Sequence, residues 1–199
     1  MRRTGIYGGS FDPIHRGHVA AAEAVLQRRA LDRLFVVPAG APPHKPDGCS
    51  AAFAERVAMA RLAVAAVHGL EVLDIEGHRE GPSYSVDTLR ELRRLYPEDQ
   101  FEMLVGADML ADLPHWKDPD EILALTDIVA FARPGEALSD ACAAFDGRFG
   151  PGHVHLVEIP AIRASSTEIR AALSRGEEPA DLLPEGVLPY IRERRLYGG

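Results

Sequence analysis

Eleven consecutive residues carry the densest chemistry in the chain: Gly8-Gly9-Ser10-Phe11-Asp12-Pro13-Ile14-His15-Arg16-Gly17-His18. His15 and His18 stand three apart, a spacing that puts both side chains on the same side of a first helical turn. Two imidazoles so placed can reach one anion. Gly8 and Gly9 remove side chains where the backbone approaches a ligand or takes positive φ, and Gly17 clears the surface between the two rings. A helix opening here aims unpaired N–H groups and its positive dipole end at the turn, which favours phosphate. The plainer reading is a turn in which Asp12 caps the helix and Pro13 takes its first position. The stretch is neither the Gly-x-Gly-x-x-Gly dinucleotide fingerprint nor a P-loop, since no Gly-Lys-Ser/Thr follows.

Further polar groups recur at similar places along the chain. Lys45 sits in the proline-rich run Ala39-Gly40-Ala41-Pro42-Pro43-His44-Lys45-Pro46, as a compact cation near the end of an apolar segment. Ser83, Tyr84 and Ser85 lie in Gly81-Pro82-Ser83-Tyr84-Ser85, where small hydroxyl residues at a helix N-terminus can hold a carboxylate or act as an ordinary cap. Asp108 follows Gly106-Ala107 and can cap a short helix. Trp116, the single tryptophan, falls in Pro114-His115-Trp116-Lys117, a polar, proline-marked setting suited to stacking on a flat cationic ring. Arg133 follows another apolar segment, within reach of a phosphate. Ser165-Ser166-Thr167-Glu168-Ile169-Arg170 reads as a capping box of Ser165 and Glu168. It reads equally as a hydroxyl-rich phosphate site, with Arg170 on the face of Ser166.

The elements between these residues alternate. Thr4 to Tyr7 suits a first strand and Val19 to Arg29 a first helix. Leu34 to Pro38 is a continuous apolar run, the pattern of a strand buried on both faces of a parallel sheet. Phe53 to Val67 repeats apolar residues at three and four steps, and Gly69 stops it. Leu70 to Ile75 alternates as an edge strand would, and Tyr84 to Tyr96, with Pro97 beyond, is helical. Phe101 to Gly106 is a fourth strand, Asp120 to Leu125 a short helix and Ile128 to Ala132 a fifth strand. Residues 136–152 suit a helix and a glycine-rich turn, and His153 to Ile159 a last strand. Ala171 to Gly176 and Val187 to Tyr197 read as terminal helices. Strands alternating with helices predict an α/β fold, a doubly wound parallel sheet whose ligands bind beyond the carboxyl ends of its strands.

Composition narrows the function classes. With 199 residues, 46% hydrophobic and 26% charged, the chain can bury a sizeable core, and one domain over 1–199 is expected. A net charge of −8 argues against nucleic-acid binding, which needs a basic surface. No run approaches membrane-spanning length, and Met1 to Gly5 leads into Gly8-Gly9 without an apolar signal core, so a cytoplasmic protein is expected. Cys49 and Cys142 form no metal or redox motif. The sequence leaves a homo-oligomer open.

The Gly8 to His18 stretch resembles the nucleotidyltransferase superfamily marked by His-x-Gly-His, and more closely the bacterial nicotinate mononucleotide adenylyltransferases. Their opening motif is Gly-Gly-Thr-Phe-Asp-Pro-x-His-x-Gly-His; Ser10 stands here for Thr and keeps the hydroxyl. Pro42-Pro43-His44-Lys45, Gly81 to Leu89, Gly106-Ala107-Asp108 and Ser165 to Arg170 match further family motifs in order, with Ala164 where the closing motif usually has Ile. The resemblance implies a Rossmann-like fold and adenylyl transfer from ATP to nicotinate mononucleotide in NAD biosynthesis, with Mg²⁺ carried on the phosphates and no protein metal ligands. On it, Gly8, Gly9, Ser10, Phe11, Gly17 and Ser165 to Thr167 belong to the ATP site, and His15, His18, Lys45 and Arg170 to catalysis. Ser83 to Ser85, Asp108, Trp116 and Arg133 fall to the mononucleotide. Phosphopantetheine adenylyltransferase shares two of these themes, and a nucleotide-binding sensor could keep the fold without turnover.

Overall fold

The structure, a computed structural model, describes residues 1–45, 47–132, 139–160 and 162–198. Among these, six strands form one parallel sheet: β1 (Arg2–Gly9), β2 (Arg33–Pro38), β3 (Leu70–Val72), β4 (Asp99–Gly106), β5 (Asp127–Ala132) and β6 (Val154–Glu158). Their order is β3-β2-β1-β4-β5-β6, and every neighbouring pair is parallel. The helices between them are α1 (Arg16–Arg28), α2 (Phe53–Val64), α3 (Ser85–Leu95), α4 (Ala107–Asp112), α5 (Pro119–Leu125), α6 (Ser139–Phe149), α7 (Ser166–Ser174) and α8 (Val187–Glu193).

Strand alternation divides the core in two. Tyr7, Leu34, Val36, Leu104 and Val129 face a layer with α1, α2, α7 and α8, including Ala22, Val25, Met59, Ile169, Leu173, Val187 and Ile191. Ile6, Phe35, Val37, Met103, Val105 and Ile128 face the opposite layer, with Leu89 and Leu92 of α3, Leu110 of α4, Ile122 of α5 and Phe145 of α6. A central strand with both faces covered has no polar side, which is why Leu34 to Pro38 reads as an uninterrupted apolar run. Helices therefore lie on both faces, the expected doubly wound arrangement. The chain reverses its winding between β1 and β4, and the loops beyond their carboxyl ends open a crevice there.

Three expectations are corrected. The edge strand β3 stops at Val72, and Ile75–His78 forms a 3-10 turn, whose buried Glu76 accepts a hydrogen bond from the Thr88 hydroxyl of α3 instead of extending a ladder. Helix α2 ends at Val64, with its C-cap at Ala65. The terminal helix α8 ends at Glu193, and a separate turn, Leu196–Gly198, follows. The helix expected within 136–152 is present, as Ser139–Phe149.

Candidate active site

A cavity of about 740 Å³ occupies the crevice, lined from the ends of β1, β2 and β4 and from the N-terminal ends of α1, α3 and α7. Its volume suits a ligand of nucleotide size or larger.

Helix α1 begins one residue after His15, which is its N-cap with extended backbone. The main-chain N–H of His18 donates to His15 Nδ1 at 3.3 Å, and that of His15 donates to His18 Nδ1 at 3.2 Å. This is a reciprocal capping box in which two imidazoles do what Ser and Glu usually do. The rings stack with centroids 3.6 Å apart and planes 15° apart. A ring nitrogen that accepts carries no proton, so the N–H of each ring lies on Nε2. Gly17 suits this packing, since a Cβ there would lie 3.1 Å from His15 Cε1 and Nδ1, a tight contact.

The cap is not the one expected. Asp12 takes no part in it; the Asp12–Pro13 peptide is cis, and the Asp12 carboxylate turns inward, 2% exposed. It accepts from the N–H groups of Ser50 (2.7 Å) and Ala51 (3.1 Å) and from the Tyr197 hydroxyl (2.7 Å). Phe11, at φ 46°, holds a left-handed backbone that non-glycine residues seldom adopt. That turn drives its ring into the core, edge-on to Tyr7 at 5.4 Å and to His18 at 5.1 Å.

Arg56 of α2 ties two lining loops together. Only 1% exposed, it donates to the carbonyls of Ser10 (2.7 Å), Ala39 (2.7 Å), Gly40 (3.3 Å) and Ala51 (3.3 Å). The loop after β2 is also stitched to the start of α3. Ser83 N–H donates to Ala41 O at 2.8 Å, and Ala41 N–H to Ser83 Oγ at 3.0 Å. Gly40 has no room for a side chain, because a Cβ would meet the Glu76 carbonyl oxygen at 2.5 Å.

The cavity brings together Gly8, Gly9, Ser10, Phe11, His15, Gly17, His18, Lys45, Ser83, Tyr84, Ser85, Asp108, Trp116, Ser165 and Ser166. Tyr84 is the N-cap of α3, so neither Ser83 nor Ser85 caps it. Lys117 Nζ lies 4.7 Å from the Tyr84 ring centroid and 3.0 Å from Asp87 Oδ2. Burial raises the Asp87 carboxyl, but hydrogen bonds from Lys117 and Arg90 outweigh it and hold the group below its ordinary range. Asp108 stands in the first turn of α4, whose N-cap is Gly106. The Trp116 indole N–H donates to Asp112 Oδ2 at 3.3 Å, and its ring lies 6.3 Å from that of His44.

Two expectations on α7 change. Ser165 is the N-cap but makes no side-chain cap, so the box with Glu168 does not form; Ser166 Oγ donates instead to Pro13 O at 3.0 Å. Thr167 and Arg170 do not line the cavity. Arg170 donates to Asp12 O at 2.7 Å and to Thr167 Oγ1 at 3.4 Å, bracing the loop before His15. Arg133 lies outside the described residues.

A parallel sheet with a phosphate-favouring helix N-terminus at its switch point defines a nucleotide-binding class, and the family described as cytidylyltransferase-like matches residues 6–172. A protein of Gloeobacter violaceus described as a probable nicotinate-nucleotide adenylyltransferase is 42% identical over 198 residues, covering 98% of this chain and 96% of its own. One of Salinispora arenicola with the same description is 42% identical over 191 residues, covering 96% and 98%. The chain belongs to the nicotinate-nucleotide adenylyltransferase family. The fold matches that of Plasmodium falciparum nicotinic acid mononucleotide adenylyltransferase, solved in complex with NaAD, with a TM-score of 0.79 at 22% identity over 99% of this chain and 98% of that one.

Proposed function

We propose that the protein transfers the adenylyl group of ATP to nicotinate mononucleotide, forming nicotinate adenine dinucleotide and pyrophosphate. The observation that carries this reading is the stacked His15–His18 pair, whose ring N–H groups lie on Nε2, at the N-terminus of α1 within a cavity of about 740 Å³. A phosphate oxygen of the mononucleotide attacks the α-phosphorus of ATP in line, and the bond to the bridging oxygen breaks as pyrophosphate departs. Positioning and charge neutralisation supply most of the rate in such transfers. His15 and His18 hold the α-phosphate and stabilise the charge that grows on its oxygens. Lys45 and the N-terminal end of α7, where Ser165 and Ser166 line the cavity, take the β- and γ-phosphates. Arg170 acts from outside the cavity lining, fixing the loop before His15 through the Asp12 carbonyl. The N-terminus of α3, with Ser83 to Ser85, receives the pyridine carboxylate. Trp116 stacks on the pyridinium, Asp108 borders the mononucleotide, and Arg133 contributes to its phosphate.

Magnesium belongs to the ATP substrate, bound by phosphates and water. Among the described residues, no group of three or more His, Cys, Asp or Glu side chains is placed to hold a metal ion, and no helix is long and apolar enough to cross a membrane. The cytoplasm is the setting this reaction fits.

The test is pyrophosphate release from ATP and Mg²⁺ with nicotinate mononucleotide, nicotinamide mononucleotide or phosphopantetheine supplied separately. Release with the first far above the others supports the proposal. Release with phosphopantetheine moves the chain to that reaction, and binding of ATP without release under any condition overturns catalysis.

A further inference from the structure

Residue 197 lies beyond residue 172, where the family match ends, yet it reaches the loop that leads into the histidine pair. The Leu196–Gly198 turn bends with Tyr197 at φ 61° and ψ 23°, and this left-handed step returns the phenol to the protein. Its hydroxyl donates to Asp12 Oδ1 at 2.7 Å, across 185 residues of sequence. Burial first, and then that hydrogen bond, push the phenol above its ordinary range, so it stays a donor. Asp12 is three residues before His15. Its carboxylate is otherwise held by the Ser50 and Ala51 N–H groups, and its carbonyl by Arg170.

We propose that Tyr197 is a positioning residue for the His15–His18 pair, acting through Asp12. A buried carboxylate keeps one orientation only while its donors are present. Asp12 has two main-chain donors from a single short segment and one from Tyr197, on the far side of the chain. Removing the phenol oxygen leaves Oδ1 with the longer contact alone, Ala51 N–H at 3.1 Å. The peptide between Asp12 and His15 then loses the restraint that fixes where α1 starts. The capping box and stacking of the imidazoles depend on that start, so loosening it moves the ring N–H groups relative to the α-phosphate without removing any group that binds substrate.

The inference rests on the role of the histidine pair proposed above. Its test uses the full chain as wild type, Tyr197→Phe and Tyr190→Phe. Tyr190, on α8, also loses a hydroxyl hydrogen bond to a carboxylate, that of Glu55 at 2.5 Å, a different carboxylate from the one Tyr197 holds. The first readout, independent of activity, is amide hydrogen exchange by mass spectrometry in a peptide spanning 10–18. Exchange about tenfold faster in Tyr197→Phe is expected, the scale of one lost charge-assisted hydrogen bond, with Tyr190→Phe matching wild type. The second is kinetic: kcat about tenfold lower in Tyr197→Phe, with KM for ATP and for nicotinate mononucleotide unchanged. Unchanged exchange in Tyr197→Phe, or equal acceleration in both variants, overturns the proposal. So does altered exchange with full kcat, or a rise in KM in place of the fall in kcat. A wild type inactive on nicotinate mononucleotide would overturn the assigned reaction, whereas the exchange measurement judges the Tyr197 link separately.

Discussion

Arg56 offers the sharpest quantitative test of how the lining loops are held. Its guanidinium, buried with only 1% exposure, makes two contacts at 2.7 Å and two at 3.3 Å, all to main-chain carbonyls of the loops after β1 and β2 and of the segment before α2. In Arg56→Met the apolar stem is kept and every donor is lost. Charged donors contribute about 1.5–3 kcal/mol per hydrogen bond. The two short bonds dominate, and partial relaxation of the loops toward water offsets the longer ones. The expected loss is about 4 kcal/mol, within the range for breaking a buried charged group's contacts. For a chain of this length that lowers Tm by about 10 °C. Arg56→Lys, with a single compact head, cannot span Ser10 and Ala39 together and should fall between the two. Urea denaturation and thermal unfolding followed by circular dichroism measure both. A loss below about 1 kcal/mol in Arg56→Met would refute the view that the carbonyl clamp holds these loops.

Other outcomes follow from the same geometry. His18→Ala should fold and lower kcat by roughly 10²- to 10³-fold in steady-state pyrophosphate release, the loss typical of one transition-state donor; near wild-type turnover would remove it from the mechanism. Trp116→Ala should raise KM for nicotinate mononucleotide about tenfold, the scale of one stacking contact, and leave that for ATP nearly unchanged; equal effects would count against stacking. Burial raises the Glu102 carboxyl, but hydrogen bonds from Arg29 and Arg3 outweigh it and hold the group below its ordinary 4.5. A lowered folded-state value contributes stability above the unfolded pKa, and that contribution is lost as pH falls through the folded one. Unfolding free energy should therefore decline below about pH 4.5 in the wild type, and less steeply in Glu102→Gln; parallel acid profiles would deny the linkage.

Much of this was legible because it is local. The strand, glycine turn and helix around His15 and His18 lie within one short stretch, and periodicity alone separates the doubly buried β2 from the amphipathic α3. What stayed hidden depends on distant partners. Asp12 looks like a cap by its neighbour Pro13, but its carboxylate is satisfied by residues 38, 39 and 185 positions away. Arg56 looks like one more charge on α2, because its acceptors are carbonyls that no side-chain pattern reveals. The capping box is hidden for the opposite reason, since its signature is written for Ser and Glu, whereas here two histidines fill it. Ser165 and Glu168 match the written signature, yet Ser166 bonds to Pro13 O and the box does not form. Sequence spacing reports which groups can meet, and packing decides which do.

The central claim concerns where the adenylyl group goes. Protein, Mg²⁺ and ATP labelled at the α-phosphorus are incubated with nicotinate and nicotinamide mononucleotides at equal concentration in one vessel, and the labelled products are separated. Label accumulating chiefly in nicotinate adenine dinucleotide is the expected result, and its absence from that product while ATP is consumed would contradict the account.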